Sequence, residues 1–93
     1  MKICGDLKVY YDVLDEMGAI EPLLKNADWN QLQELKEARE EDFEELLTKI
    51  NQLSNEKQQI KRALGCYDSQ MILFFAMEVA KEFADFQNNK QYH

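Results

Sequence analysis

A regular apolar pattern after the single tryptophan constrains the fold of this chain more than any other feature of the sequence. From Trp29 onward, apolar residues recur every three or four positions and so form one stripe along a helix. The stripe consists of Leu32, Leu35, Ala38 or Arg39, Phe43, Leu46, Ile50 and Leu53. Asp28 stands at the N-cap position, and Gln31 follows three residues later, as in a capping box. We therefore predict an amphipathic helix that begins at Trp29.

The composition favours helices in the rest of the chain as well. The 93 residues include 3 glycines and 1 proline, while the helix formers Leu, Glu, Lys, Gln and Ala are prominent. A chain of this length buries about 60–65% of the surface that its unfolded form exposes, so its core is thin. We expect a single all-α domain over residues 1–93, built as a small antiparallel helical bundle of three or four helices with a long central helix.

The N-terminal segment predicts a first helix from about Asp6 to Lys25. Its apolar stripe contains Leu7, Tyr10, Leu14 and Met17. Gly18 and Pro22 predict a kink or a restart, because proline lacks an amide donor and crowds the preceding turn. A short connection at 26–28 would make the first and second helices antiparallel neighbours in a helical hairpin.

The end of the second helix leaves two alternatives. The helix either continues to Leu64, or it breaks near 53–56, where Ser54 or Asn55 would act as a new N-cap. Both alternatives keep the same apolar phase through Leu53 and Leu64.

A glycine and an aspartate separate this segment from the last helix. Gly65 stands where a left-handed C-cap glycine would fall, and Asp68 follows as a new N-cap. We therefore predict a turn at these residues and a last helix from about Ser69 to Asn88.

The last helix carries more apolar side chains than one neighbouring helix could cover. Its large apolar residues include Met71, Phe74, Phe75, Met77 and Phe83. They either fill the core of the bundle or form a surface for a partner or for a second copy of the chain. Trp29 leaves a similar choice between closing the end of the bundle and anchoring a partner. We assign these six residues as candidate partner-binding residues.

The chain is acidic, with a formal net charge of −7, and an acidic run lies within 34–45. Nucleic acids and anionic membranes bind basic surfaces, so we expect neither as a partner. The acidic run forms either a solvated helix face or an electrostatic docking surface. The sequence shows no secretory signal and no apolar run long enough to span a bilayer, which predicts a cytoplasmic protein.

The sequence shows no residue pattern of a catalytic or metal site. His93 is the only histidine, and it occupies the terminal position, where chains fray. Di-iron bundles need Glu-x-x-His pairs, which this sequence lacks. It also lacks a phosphate-binding glycine loop and the Cys/His spacing of zinc sites. We therefore expect a non-enzymatic protein with no cofactor and no metal.

A family resemblance extends over residues 10–47. It is carried by Tyr10, Tyr11, Leu14, Leu24, Asp28-Trp29-Asn30-Gln31-Leu32, Leu35, Glu37, Arg39 and Leu46-Leu47. With these residues the segment resembles the first two helices of the FliT-type flagellar export chaperones, although Asn30 stands where that family usually has Asp. The resemblance implies an antiparallel bundle of the bacterial cytoplasm that shields an aggregation-prone segment of an export substrate. For that family the substrate is the filament cap protein, which the chaperone hands to the export gate.

Three hypotheses of function follow. The first is a non-enzymatic export chaperone or adaptor that binds a segment of a flagellar or other secreted protein through an apolar helical face. The alternative is a small acidic regulator or inhibitor, of the type that mobile elements encode, which blocks a partner protein. The third is a homodimer whose last helices cover each other.

Overall fold

The computed structural model describes residues 6–25, 27–53 and 56–91, with side chains as far as Ala84. Within these ranges the chain forms six helices and no strand. The helices are α1 Leu7–Glu16, α2 Ile20–Lys25, α3 Trp29–Ala38, α4 Glu40–Asn51, α5 Lys57–Leu64 and α6 Ser69–Gln91. The prediction of an all-α fold is confirmed. No helix in the described part of the chain is both long enough and apolar enough to cross a bilayer.

The last helix of the chain forms the centre of the bundle. The 23-residue α6 contacts α1, α2, α3 and α4, while α5 packs against α1 and α4. The long central helix is therefore α6 and not the helix that begins at Trp29. The predicted hairpin is also wrong, because α3 packs mainly on α6 and α4 rather than on the first helix.

The second predicted helix is interrupted twice. α3 ends at Ala38 and α4 begins at Glu40, because Arg39 leaves the helical region with φ −118° and ψ 35°. The Arg39 amide donates to the carbonyls of Leu35 and Lys36 at 3.2 and 3.0 Å, so this amide remains satisfied at the break. This first interruption was not predicted from the sequence.

The second interruption separates α4 from α5 and decides between the two predicted alternatives. α4 ends at Asn51 and α5 begins at Lys57, so the alternative of a helix unbroken to Leu64 is wrong and the break is confirmed. The predicted caps Ser54 and Asn55 lie outside the described residues.

Local signals position the remaining helix ends. The Asp28 carboxylate accepts hydrogen bonds from the amides of Asn30 and Gln31 at 3.0 and 3.2 Å, which confirms the predicted start of α3. Gly18 has a left-handed φ of 77° between α1 and α2. Pro22 then lies in the first turn of α2, where a missing amide donor is tolerated. The predicted restart of the first helix is confirmed.

The turn before α6 differs from its prediction in one respect. Gly65 has a right-handed φ of −63°, so the left-handed C-cap expected there is wrong. Its amide instead continues the helical pattern by donating to the Lys61 carbonyl at 3.0 Å. Asp68 still occupies the N-cap position, since α6 begins at Ser69 and the Ile72 amide donates to the Asp68 backbone carbonyl at 3.1 Å.

The core lies around the first half of α6, and in the described chain it contains no charged side chain. Its largest fully buried side chains are Tyr10, Leu14, Leu23, Leu46, Ile50, Ile60, Leu64, Met71, Phe74, Phe75 and Met77. Phe75 meets the ring of Tyr10 edge-on at 5.5 Å between centroids, and Phe74 meets Phe43 at 6.4 Å. These aromatic contacts join α6 to α1 on one side and to α4 on the other.

Candidate functional site

Four of the six candidate partner-binding residues lie in the core. Phe74, Phe75 and Met77 are 0% exposed, and Met71 is 1% exposed. The apolar width of α6 arises because four helices surround it, so these side chains fill the bundle rather than a surface. They could contact a partner only if the bundle opened, and we no longer assign them to a partner surface.

Trp29 joins the start of α3 to the end of α2. Its indole Nε1 donates a hydrogen bond of 3.0 Å to the carbonyl of Leu23, which lies among the free carbonyls of the last turn of α2. The ring is partly buried against the core. This geometry agrees with the interpretation that Trp29 closes one end of the bundle.

Phe83 is the one predicted partner residue on α6 that keeps substantial exposure. Its ring stacks on Tyr11 of α1, with 5.3 Å between centroids and 27° between planes. Both side chains are partly buried, so the pair extends the contact of α1 with α6 beyond the core.

An apolar groove lies between the α1–α2 turn and the beginning of α6. It has a volume of about 190 Å³. Its walls are formed by Met17, Gly18, Ala19, Pro22, Ser69, Ile72 and Leu73. Met17, Ile72 and Leu73 are only partly buried, and they give α6 an accessible apolar face at this end. We call this feature the apolar groove.

A second groove lies where α3, α4 and α6 meet. It has a volume of about 270 Å³ and a floor that includes Phe43 and Leu47. The other lining residues are Gln33, Lys36, Glu37, Glu40, Glu44 and Glu78. Because four of these side chains are carboxylates, we call this feature the acidic groove.

A cation of the chain itself already occupies one wall of the acidic groove. The Lys36 ammonium forms an ion pair with the Glu78 carboxylate and lies 5.3 Å from the centre of the Phe43 ring. The two charged side chains are only 17% and 23% exposed. This wall therefore combines a carboxylate and an aromatic face, which are the two groups that bind ammonium and guanidinium ions best.

Arg39 links the break between α3 and α4 to the N-terminus of α6. Its guanidinium donates to the Asp68 carboxylate at 3.1 and 3.3 Å and to the Gln70 side-chain oxygen at 3.0 Å. A longer contact of 3.4 Å reaches Asp42. The hydrogen bond from Arg39 is the main cause that lowers the pKa of Asp68.

Both basic residues of the acidic run are therefore paired with acids, and the remaining carboxylates face solvent. The exposed glutamates of this run are Glu34, Glu37, Glu40, Glu41, Glu44 and Glu45. Among the ion pairs of the described residues, none involves these six side chains. The surface of α3 and α4 thus carries an uncompensated negative charge.

The comparisons with known proteins give no relative. No family model, no curated protein and no solved structure matches this chain. The two grooves and the charge around them are therefore the features that bear on function.

Sequence reasoning found part of each groove but neither groove as a whole. Gly18 and Pro22 predicted the break that forms one wall of the apolar groove, but nothing in the sequence placed that break beside Ile72. The acidic run predicted charge on α3 and α4. The ion pair between Lys36 and Glu78 could not be predicted, because the two residues are 42 positions apart. No group of three or more potential metal ligands occurs in the described part of the chain. His93 and Cys4 lie outside that part.

Proposed function

We propose that this protein is a non-enzymatic export chaperone or adaptor that binds an apolar segment of a partner protein in the apolar groove. The observation that carries the proposal is the accessible face of Ile72 and Leu73 on α6, opposite Met17 and Pro22. At about 190 Å³, the groove is smaller than the roughly 300–1,000 Å³ of ordinary small-molecule sites. It suits one or two side chains of a protein segment better than a whole metabolite.

The resemblance of residues 10–47 to the FliT-type chaperones suggests which partner to test first. For that family the partner is the filament cap protein. A flagellar export substrate is therefore the first partner that we propose, and another secreted protein with an exposed amphipathic segment is the next.

The test compares two leucines, one inside the groove and one outside it. Leu73 lines the groove, whereas Leu24 on α2 is 64% exposed and does not line it. We expect Leu73→Asp to weaken co-purification with the filament cap protein of the same organism by about tenfold or more, because a carboxylate in an apolar contact loses its hydration. Leu24→Asp introduces the same charge and should leave binding unchanged.

Circular dichroism and melting curves of both variants establish that the bundle remains folded. Equal binding by wild type and a folded Leu73→Asp variant would contradict the assigned surface. Absence of any binding by the wild-type protein would contradict the flagellar partner.

A second candidate function is favoured by the uncompensated carboxylates of α3 and α4. We propose, as the alternative, a small acidic regulator that docks on a basic surface of a partner protein and blocks it. Binding through such a surface weakens steeply as salt screens the charges, whereas binding in the apolar groove depends little on salt. Isothermal titration of the isolated partner at low and high salt separates the two proposals.

A further inference from the structure

We infer that α3 is a conformational strap, which lifts off α6 while both of its ends stay attached and so uncovers the ring of Phe43. The attached ends are Trp29 and Arg39, and the strap is the segment 30–38 between them. This inference goes beyond both proposed functions and depends on neither.

The first argument is how little apolar surface holds α3 on the bundle. All ten residues of α3 are described, and Leu32 is the one that is buried. Leu35, the next position of the apolar stripe, is 37% exposed. By comparison, α4 buries four of its twelve residues and α5 buries three of its eight. Segments with few buried apolar contacts open at a lower free energy than the core, so α3 should open before its neighbours.

The second argument is the polar character of the contacts between α3 and α6. The Lys36 ammonium forms an ion pair with the Glu78 carboxylate. One helical turn away on each helix, the Lys81 ammonium donates to the Gln33 side-chain oxygen at 3.2 Å. Water replaces such contacts when they separate, so their net contribution to the closed state is small. Buried apolar contacts have no such replacement.

The third argument is that both ends of α3 have attachments of their own. The Trp29 indole donates to the Leu23 carbonyl of α2 at 3.0 Å. At the other end, the Arg39 guanidinium donates to the side chains of Asp68 and Gln70. Arg39 has already left the helical region, with φ −118° and ψ 35°, so α3 can move without unwinding α4. The structure therefore has a joint at one end of the strap and an anchor at the other.

The strap covers an aromatic ring that reaches the centre of the bundle. The Lys36 ammonium lies 5.3 Å from the centre of the Phe43 ring, which is 6% exposed in the closed state. Phe43 in turn meets Phe74, which is fully buried on α6. Lifting α3 removes Lys36 from the ring. The strap therefore controls whether this aromatic surface is accessible.

The experiment measures hydrogen exchange of the full chain by mass spectrometry. It compares the amides at 33–38 in α3 with those at 71–79 in the buried half of α6. We expect the α3 amides to be protected at least about tenfold less than the α6 amides. Their protection should also fall less steeply with low concentrations of urea, because local opening exposes less surface than global unfolding.

Two variants of equal charge show whether the ion pair holds the strap closed. K36Q removes the cation that pairs with Glu78, whereas K57Q removes the cation that pairs with Glu16 at 3.0 Å and links α5 to α1. Glutamine and lysine have similar helix propensities, so neither change disfavours the helix itself. We expect K36Q to speed exchange at 33–38 by about tenfold and to leave 71–79 unchanged. K57Q should leave the exchange of α3 unchanged.

The exchange of the α6 amides distinguishes opening of the strap from a loss of the fold. Equal protection of α3 and α6 in the wild-type protein would overturn the inference without the use of any variant. Equal acceleration of both segments by K36Q would also overturn it, because the pair would then stabilise the whole bundle. So would an unchanged rate at 33–38 in K36Q, or the same acceleration in K57Q. Both proposed functions would stand in each of these cases, since neither uses the opening of α3.

Discussion

The first half of α6 and the segment formed by α3 and α4 pack against each other but have opposite characters. α6 places phenylalanine and methionine side chains on all sides, and the surrounding helices bury them. The α3–α4 segment places glutamates on its outer side, where they are exposed and take no part in the ion pairs of the described residues. The comparison shows that a helix with many apolar residues on all sides can be explained by the number of helices that surround it, as for α6. Uncompensated charge is the better indicator of a surface that is available to a partner.

The largest effect that we expect is the loss of stability when a buried side chain of α6 is truncated. Phe75→Ala removes a fully buried ring that contacts Tyr10, and it should lower the free energy of unfolding by about 3–5 kcal/mol. Phe83→Ala is the matched control, because its ring is only partly buried on Tyr11 and should cost about 1 kcal/mol. Urea unfolding followed by circular dichroism measures both. Similar losses for the two variants would show that α6 is not buried as described.

The next effect concerns the start of the α3–α4 segment. Trp29→Phe keeps an aromatic ring but removes the indole donor to the Leu23 carbonyl, so we expect a loss of about 0.5–1.5 kcal/mol. The same urea unfolding experiment detects this change. A variant that retains full stability would indicate that the hydrogen bond between α2 and α3 contributes nothing. Trp29 would then be better interpreted as a partner anchor than as the end of the bundle.

A pH-dependent effect is expected where the two regions are joined by Arg39 and Asp68. The guanidinium holds the pKa of the Asp68 carboxyl below its usual value, so folding favours the ionised form. This contribution to stability is fully present above the unfolded pKa of about 3.9, and it is lost as pH falls through the lower folded pKa. Asp68→Asn should therefore be less stable than wild type at neutral pH.

Melting curves over a pH series test this prediction and its sign. The difference between Asp68→Asn and wild type should shrink as pH falls below about 4, where the carboxyl of the unfolded chain takes up a proton, and it should be lost below the lower pKa of the folded state. Asp42→Asn is a suitable control, since Asp42 contacts the same guanidinium at a longer distance of 3.4 Å. A difference that stays constant with pH would mean that the charge of Asp68 does not contribute to stability.

The ends of the helices could be predicted from the sequence where local chemistry decides them. Asp28 and the pair of Gly18 and Pro22 act on backbone groups within a few residues, so the start of α3 and the restart at α2 were predicted. The break at Arg39 could not be, because the side chain that pairs with it, Asp68, is 29 positions away. Which helix lies at the centre is likewise decided by packing among distant segments.

The grooves were less predictable than the helices for the same reason. Each groove is formed by segments that are distant in sequence, and periodicity predicts which face is apolar but not what covers it. The sequence therefore left Phe74 and Phe75 open between the core and a partner surface, and the helices around α6 bury them completely. Ile72 and Leu73 remain partly exposed because the α1–α2 turn leaves a gap above them.

The smallest effect that we expect is a gain in stability, and it comes from removing one charge of the acidic α3–α4 segment. Glu44 lies four residues after Glu40 and beyond the first turn of α4, so removing its charge relieves repulsion without losing a favourable dipole interaction. Glu44→Gln should raise the free energy of unfolding by about 0.2–0.5 kcal/mol at low salt. Glu45→Gln is the control, since Glu45 has Lys49 four residues later and would lose an attraction as well as a repulsion. High salt should abolish the gain in Glu44→Gln, because exposed charges are screened within about 10 Å. A gain that persists at high salt would be caused by packing instead, and the repulsion between Glu40 and Glu44 would then be negligible.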